Sequence, residues 1–487
     1  MEFRTATELV AALRARQVSA TELAEQAIAA IEAGDDRLNA IPVRDFERAR
    51  EAARAADAAL ARNDAGALLG LPMTVKESFN VAGLPTTWGI PGTSQIPVTQ
   101  DAVAVTRLKA AGAVILGKSN VSTVLADWQA TNAVYGTSNN PWDVTRTPGG
   151  SSGGAAAALA AGFVALELGS DLGGSLRIPA HFCGVYAHKP TLNLLPRRGH
   201  APPGIPALSV VPHHDLPVIG PMARSAADLM LALDVLAGPD DAEAVAYRLD
   251  LPPPRHAALK EYRVLIVDRH PQVPTDAAVR EAIDTLAARL EQAGCRVARS
   301  SPLLPSLDLI GSTYLRLVMA FMGGTMPEPD YLAARQQAAG IPEAAADQRS
   351  LSALSKVASH RAWMQADFVR TGLSHQWRTL FRDWDIVLCP VTPTVAFPHD
   401  QRPWDERTIS VDGHAVRYGD QFLWPGVATV CGLPATAMPI GLSNGGQSHD
   451  GLPVGVQAIG PYLEDRTPIR FAALVEQVFG GFRAPPA

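Results

Sequence analysis

The chain has 487 residues, of which 47% are hydrophobic, and its formal net charge is −6. A chain of this length can bury one very large core or several ordinary ones. Because it is mildly acidic and has no block of lysine and arginine, we expect neither nucleic acid nor an anionic membrane as a partner. The N-terminus lacks an apolar signal core, and the longest apolar run, 155–166, is about half a membrane span. These features predict a globular, cytoplasmic protein.

Metal and disulfide chemistry find little support in the sequence. The four cysteines are too widely spaced for a CxxC pair, so we expect reduced thiols. The run His213–His214–Asp215 resembles a metal cluster, but adjacent histidines on a strand face opposite ways and no HExxH helix accompanies them. We therefore predict no metal site.

The first 120 residues alternate helical and strand patterns. Two capping boxes, Thr5–Glu8 and Ser19–Glu22, predict helix starts. The further elements predicted here are a helix at 44–62, a strand at 71–75 that leads into Lys76, a helix from Ala102 and a strand at 113–117. The apolar run at 155–166 predicts a buried helix.

A strand, a helix and a returning strand are predicted at 263–267, 275–293 and 295–298, with Gly294 ending the helix. This order is typical of α/β architecture with parallel pairing. A helical region at 310–380 follows, and then strands at 386–388, 435–438 and 454–459. The linker-like segment Leu251–Pro254 is too short to separate domains, so we favour one large domain.

Lys76 is the first residue that suggests chemistry. It lies at the end of an apolar strand, where burial penalises the ammonium form and can lower its pKa enough for a base. A surface lysine that extends its amine into solvent is the alternative, and the local sequence leaves both open.

Two glycine-rich segments supply hydroxyls. Gly149–Gly154 places two serines between glycines, and Asp171–Arg177 contains consecutive N–H groups that can form an anion-binding nest beside Ser175. A hydroxyl next to such donors suits acyl transfer. The first segment is a poor nucleophile elbow because 146–148 is not strand-like, and it lacks the Gly-Lys-Ser/Thr of a P-loop.

Taken together, these residues resemble the amidase-signature family of serine hydrolases, over almost the whole chain. The segments that carry the resemblance are Gly149–Gly154, Asp171–Ala180, Phe182–Gly184, Lys189–Thr191, Gly117–Asn120, Asn140–Asp143, Gly220–Ser225, Gly432–Pro434 and Gly451–Gln457. The resemblance implies an α/β fold: a single large domain with a central mixed, mostly parallel twisted sheet covered by helices on both faces.

Within this single domain, 1–487, the sequence predicts five regions. They are an N-terminal helical region at 1–62, the catalytic core motifs at 63–230, the strand–helix–strand unit at 260–300, a helical region expected to form the substrate pocket at 310–380 and the C-terminal part of the core at 381–487.

The resemblance also implies a Ser–cisSer–Lys triad. By position, Ser175 is the nucleophile, Ser151 the bridging serine behind a cis Gly150–Ser151 bond, and Lys76 the base. The N–H groups of Leu172, Gly173, Gly174 and Ser175 are the implied oxyanion hole. Ser152, Asp171 and Arg177 are expected to support the site through hydrogen bonds and charge pairing.

The substrate is expected to be a small-molecule amide, or an aryl amide, carbamate or ester. Its pocket is expected to include Trp128, Phe321, Met322 and Trp424, although ordinary core packing is the alternative for such side chains. The resemblance is compatible with a homodimer, and the chemistry that it implies needs no cofactor.

The sequence offers an observation against each of two other functions. A glutaminase subunit of a tRNA-dependent amidotransferase would need a partner subunit, but the segments Ser359–Trp363 and Gln376–Phe381 do not resemble the Arg-Arg-Ile-Met-Leu-Gly type of segment such subunits carry. A catalytically silent binding protein on the same scaffold would not need all three triad residues, which are present.

Overall fold

The computed structural model describes residues 3–93, 97–204, 215–342, 345, 347–444 and 451–486. The strands are β1 (Val43–Arg44), β2 (Pro72–Lys76), β3 (Val114–Ser119), β4 (Thr131–Asn132), β5 (Gly136–Thr137), β6 (Leu166–Asp171), β7 (Tyr186–Lys189), β8 (Val218–Ala223), β9 (Arg263–Ile266), β10 (Arg296–Ala298), β11 (Ile386–Pro390), β12 (Thr408–Val411), β13 (His414–Arg417), β14 (Ala435–Leu442) and β15 (Pro453–Ile459).

The α-helices are α1 (Ala6–Arg14), α2 (Ala20–Gly34), α3 (Phe46–Ala61), α4 (Val103–Ala110), α5 (Gly153–Ala160), α6 (Arg177–Cys183), α7 (Ala226–Leu236), α8 (Asp241–Ala244), α9 (Ala277–Gln292), α10 (Leu307–Gly324), α11 (Glu328–Ala339), α12 (Gln348–Lys356), α13 (His360–Asp383), α14 (Leu423–Thr429) and α15 (Arg466–Phe479). None of the helices in the described ranges is both long and apolar enough to cross a membrane.

Both predicted capping boxes are present. The Thr5 and Ser19 hydroxyls accept hydrogen bonds from the backbone N–H groups of Glu8 and Glu22. The carboxylates of these two glutamates accept hydrogen bonds from the backbone N–H groups of Thr5 and Ser19 in turn. Because two orphan donors are satisfied at each start, α1 and α2 begin where the sequence predicts.

Eleven of the described strands form one mixed sheet in the order β1-β3-β2-β6-β8-β7-β14-β15-β11-β9-β10, flanked by helices in a single domain. The predicted single mixed sheet is confirmed, but its pairing is not mostly parallel. Six of its ten described pairings are antiparallel. One cause is visible between β14 and β15, which the segment 443–452 joins: this is too short for the crossover that a parallel pair needs.

The strand–helix–strand unit is confirmed as β9, α9 and β10, with β10 parallel to β9. Gly294 follows the helix with a φ of +88°, a conformation that favours glycine and ends a helix.

The apolar run at 155–166 is not one helix. Helix α5 ends at Ala160, Gly162 turns the chain with a φ of +78°, and β6 begins at Leu166. Every residue of α5 is buried. The small side chains let this short helix lie inside the core, against β2, β3, β6 and β8.

Parallel pairing of β2 with β6 positions the site. Thr74 and Val75 are in register with Glu167 and Leu168, so both strands end at the same edge of the sheet. Lys76 is the last residue of β2, and Asp171 is the last residue of β6.

Candidate active site

Lys76 is completely buried, with no exposed surface. Its Nζ donates hydrogen bonds to the Oγ atoms of Ser151 at 2.7 Å, Ser152 at 2.9 Å and Ser170 at 2.9 Å. Burial lowers the pKa of Lys76 to about 7, against the opposing charges of Asp171 and Glu167. Much of the amine is therefore uncharged near neutral pH, and an uncharged amine can accept a proton.

The serine pair reaches Lys76 through a backbone that only glycine allows. The Gly150–Ser151 peptide bond is cis, as the resemblance implies. Gly149 has a φ of +87°, and a Cβ on Gly150 would collide with the backbone of Asp127–Gln129. Ser152 is the residue immediately before α5. The glycines thus let both hydroxyls approach the amine.

Asp171 and Arg177 close the loop between β6 and α6. Arg177 binds Asp171 through two hydrogen bonds of 2.9 Å, and it also donates to the Pro425 carbonyl, Gln457 and Thr429. Burial alone would raise the pKa of the Asp171 carboxyl, but the Arg177 guanidinium holds it below its usual value. This buried ion pair holds the two ends of the loop together.

Ser175 lies in this loop, and the residue retains slight solvent exposure, at 7%. The Ser152 N–H donates to the Ser175 carbonyl at 3.2 Å, so the two glycine-rich segments are in direct contact. The structure thus groups Lys76 with Ser151 and Ser152 through side chains, and it brings Ser175 beside them through the backbone.

The four expected oxyanion donors are not equivalent. The Gly174 N–H already donates to Asp171 Oδ1 at 2.9 Å. A Cβ on Gly173 would collide with the ring of Phe422, so glycine is required there. The Gly174 N–H is therefore committed to holding the loop.

Trp128 contacts the 172–175 loop directly. The residue is 2% exposed, and its indole N–H donates to the Gly173 carbonyl at 2.9 Å. Its ring packs edge-on against Phe422, with the centroids 4.6 Å apart.

The other three predicted pocket residues differ in burial. Trp424 has no exposed surface and donates its indole N–H to Thr275 Oγ1 at 3.1 Å. Phe321 and Met322 are half-buried near the end of α10.

The site predicted from the sequence omits several residues, among them Ser170, whose Oγ accepts a hydrogen bond from Lys76 at 2.9 Å. Glu167 is buried on β6, bonds Thr74, and has its pKa raised by burial to about 8. Tyr314 is buried in α10 and donates its hydroxyl to the Leu172 carbonyl at 2.9 Å. A lone glutamate within an apolar strand was a signal for Glu167.

No group of three or more potential metal ligands is found among the residues that the structure describes. His213 and His214 lie outside those residues, and Asp215 bonds Arg370. All four cysteines are buried free thiols.

A buried amine beside serine hydroxyls and a glycine-rich loop is typical of a hydrolase that works through a serine nucleophile. Comparison with known proteins gives the family. The family model described as Amidase matches residues 22–468, and the chain belongs to this amidase-signature family and is an amidase-type enzyme.

Two curated relatives illustrate the range of the family. The chain is 33% identical to a subunit of the glutamyl-tRNA(Gln) amidotransferase of Anaeromyxobacter dehalogenans, covering 98% of this chain and 97% of that protein. It is 34% identical to indoleacetamide hydrolase of Bradyrhizobium diazoefficiens, covering 95% and 84%. The fold also matches a bacterial aryl acylamidase of the amidase-signature family, with a TM-score of 0.79, 22% identity and coverage of 98% and 97%.

Proposed function

We propose that the chain hydrolyses a carboxylic amide through a seryl acyl-enzyme, with Ser175 as nucleophile, Ser151 as proton relay and Lys76 as base. The observation that carries the proposal is the 2.7 Å hydrogen bond between Lys76 Nζ and Ser151 Oγ, together with the lowered pKa of Lys76. An uncharged amine at this distance can take the Ser151 proton as Ser151 takes the proton of Ser175.

Acylation then proceeds in balanced steps. Ser175 Oγ forms a bond to the substrate carbonyl carbon, and the carbonyl oxygen becomes an oxyanion. Since the Gly174 N–H is bonded to Asp171, the donors left for the oxyanion are the N–H groups of Leu172, Gly173 and Ser175. The C–N bond breaks as the relay returns a proton to the leaving amine or ammonia. Water hydrolyses the ester by the same route and restores Ser175.

The substrate class is a small or medium acyl amide, with aryl amides, carbamates and esters as candidates. The aromatic residues over the loop, Trp128 and Phe422, favour an apolar acyl group. A panel of aliphatic, aryl and peptide amides tests this assignment: a preference for short charged amides would contradict it.

The glutaminase alternative is favoured by one observation, the similarity to an amidotransferase subunit. It predicts glutamine hydrolysis and a requirement for a partner subunit. Size-exclusion chromatography and a glutaminase assay on the isolated chain separate the two: a homodimer or monomer that hydrolyses simple amides and ignores glutamine supports the stand-alone amidase.

The decisive experiment replaces the nucleophile. Ser175→Ala is expected to lower kcat/KM for an amide on the order of 10⁴-fold or more, and to abolish labelling by a fluorophosphonate. The matched control is Ser138→Ala, since Ser138 is buried and its hydroxyl donates to the Asn39 carbonyl at 2.7 Å. Near-full activity in Ser175→Ala would refute the mechanism, and an unlabelled wild-type chain would favour a silent binding protein.

A further inference from the structure

The carbonyl oxygens of the 172–175 loop are all engaged in hydrogen bonds. Leu172 accepts the Tyr314 hydroxyl at 2.9 Å, and Gly173 accepts the Trp128 indole N–H at 2.9 Å. Gly174 accepts the Ile178 N–H at 2.7 Å, and Ser175 accepts the Ser152 N–H at 3.2 Å. Each bond fixes the orientation of one peptide group.

A trans peptide group is planar, and its C=O and N–H point in opposite directions. Anchoring the carbonyl of one residue therefore aims the N–H of the next. The Gly173–Gly174 peptide shows this directly: Trp128 holds its oxygen, and its N–H points to Asp171 Oδ1. That peptide is fixed at both ends.

The Leu172–Gly173 peptide is held differently. Among the described residues, the Tyr314 hydroxyl is the one donor recorded on the Leu172 carbonyl. The opposite end of this peptide is the Gly173 N–H, one of the donors assigned above to the oxyanion. Gly173 has no side chain that could restrain this peptide. The ring of Phe422 occupies the space where a Cβ would lie.

We infer that Tyr314 is a positioning residue, whose hydroxyl orients the Gly173 N–H toward the oxyanion through the Leu172 carbonyl. The inference rests on the proposed function and adds a residue of α10 to it. Tyr314 acts through the peptide and does not touch the reacting atoms.

The surroundings of Tyr314 suit this role. Its side chain has no exposed surface, and its ring lies against α14, where a Cβ on Gly426 would collide with it. Burial raises the pKa of Tyr314 above its ordinary value, and the Asp171 charge raises it further. The phenol therefore keeps its proton and remains a donor to the carbonyl.

The test is Tyr314→Phe, which keeps the ring and removes the hydroxyl. We expect kcat/KM to fall about 10- to 100-fold, less than the loss from removing an oxyanion donor itself, with KM nearly unchanged. Affinity for a boronic acid, whose serine adduct is tetrahedral and anionic, should fall by the same factor. Affinity for the product carboxylic acid should not change.

The matched control is Tyr262→Phe. Tyr262 is also fully buried, and its hydroxyl faces the His256 carbonyl at 3.5 Å, away from the loop. It should shift the melting temperature as Tyr314→Phe does and leave boronic acid affinity unchanged. Equal loss of boronic acid and product affinity in Tyr314→Phe would indicate a merely structural role and overturn the inference.

A second variant keeps the question decidable if Tyr314→Phe does not fold. Tyr314→Met also removes the hydroxyl on the Leu172 carbonyl but fills the space with a flexible side chain, so boronic acid affinity should again fall about 10- to 100-fold. Unchanged boronic acid affinity in that variant would overturn the inference. Inactive Ser175→Ala with unaffected Tyr314→Phe would reject this inference alone, whereas active Ser175→Ala would reject the proposed function.

Discussion

The ends of β2 and β3 each carry a fully buried lysine, Lys76 and Lys118. The parallel register pairs Lys118 with Val75, one residue before Lys76, so the two side chains leave opposite faces of the sheet. Burial lowers the pKa of Lys76 to about 7 and that of Lys118 to about 8. Burial is thus common to both lysines and does not by itself make a base.

The partners of the two amines differ. Lys76 faces three serine hydroxyls, which can exchange protons with it. Lys118 donates to the Pro85 carbonyl and Thr86 Oγ1, and lies 3.9 Å from the Glu77 carboxylate. Lys118 has one hydroxyl partner against the three of Lys76, and the Glu77 carboxylate favours its ammonium form, so Lys118 suits a structural role.

The largest effect on activity is expected from removing the amine of Lys76. Lys76→Met keeps a side chain of similar length and removes the amine, so kcat/KM for an amide should fall about 10³-fold or more. Among the described residues no carboxylate forms an ion pair with Lys76, so the melting temperature should change little. Steady-state kinetics and thermal melting measure both.

The control is the equivalent change on the other strand. Lys118→Met leaves the Pro85 carbonyl without its amine donor and Glu77 without its cation, which should destabilise the fold by about 2 kcal/mol. The folded fraction should keep its rate within about tenfold. Equal loss of rate in both folded variants would show that the comparison is wrong.

A smaller effect is expected from pH. Protonated Lys76 cannot accept a proton, so kcat/KM should rise with pH and level off above about 7, where the pKa of Lys76 lies. Below that point the rate should fall about tenfold per pH unit. A pH–rate profile of the wild-type enzyme measures the midpoint.

Lys189 provides the control for that profile. Burial also lowers its pKa to about 7, but its Nζ donates to the Pro190 carbonyl at 2.9 Å and not to the serines. Lys189→Met should therefore keep the midpoint near 7. A midpoint that moves with Lys189 would assign the titration to that residue.

Much of the architecture could be predicted from local patterns. The capping boxes at Thr5 and Ser19 and the stop at Gly294 depend on neighbours within a few residues, and each is confirmed. The family could be predicted from the order of its motifs, because the positions where the backbone approaches other groups closely require glycine and are therefore visible in the sequence. The share of parallel pairing was missed, because strand order depends on contacts between distant segments.

The same limit applies at the site. Trp424 is predicted to line the pocket and is fully buried, but an aromatic residue in the sequence does not reveal which surface it faces. The bond from Tyr314 to Leu172 spans 142 positions. The Gly174 N–H looked equivalent to its neighbours until Asp171 was found to accept it.

The smallest effect is expected from removing one of the serine hydroxyls that contact Lys76. Ser152→Ala removes one of the hydrogen bonds to the amine, at 2.9 Å, and leaves those to Ser151 and Ser170. One such bond contributes about 1 kcal/mol, so kcat/KM should fall only about five- to tenfold. Ser151→Ala also removes one bond, but it interrupts the proposed relay and should approach the loss seen in Lys76→Met. If the two serine variants lose activity equally, Ser151 only holds the amine in place, and the route of the proton must be assigned differently.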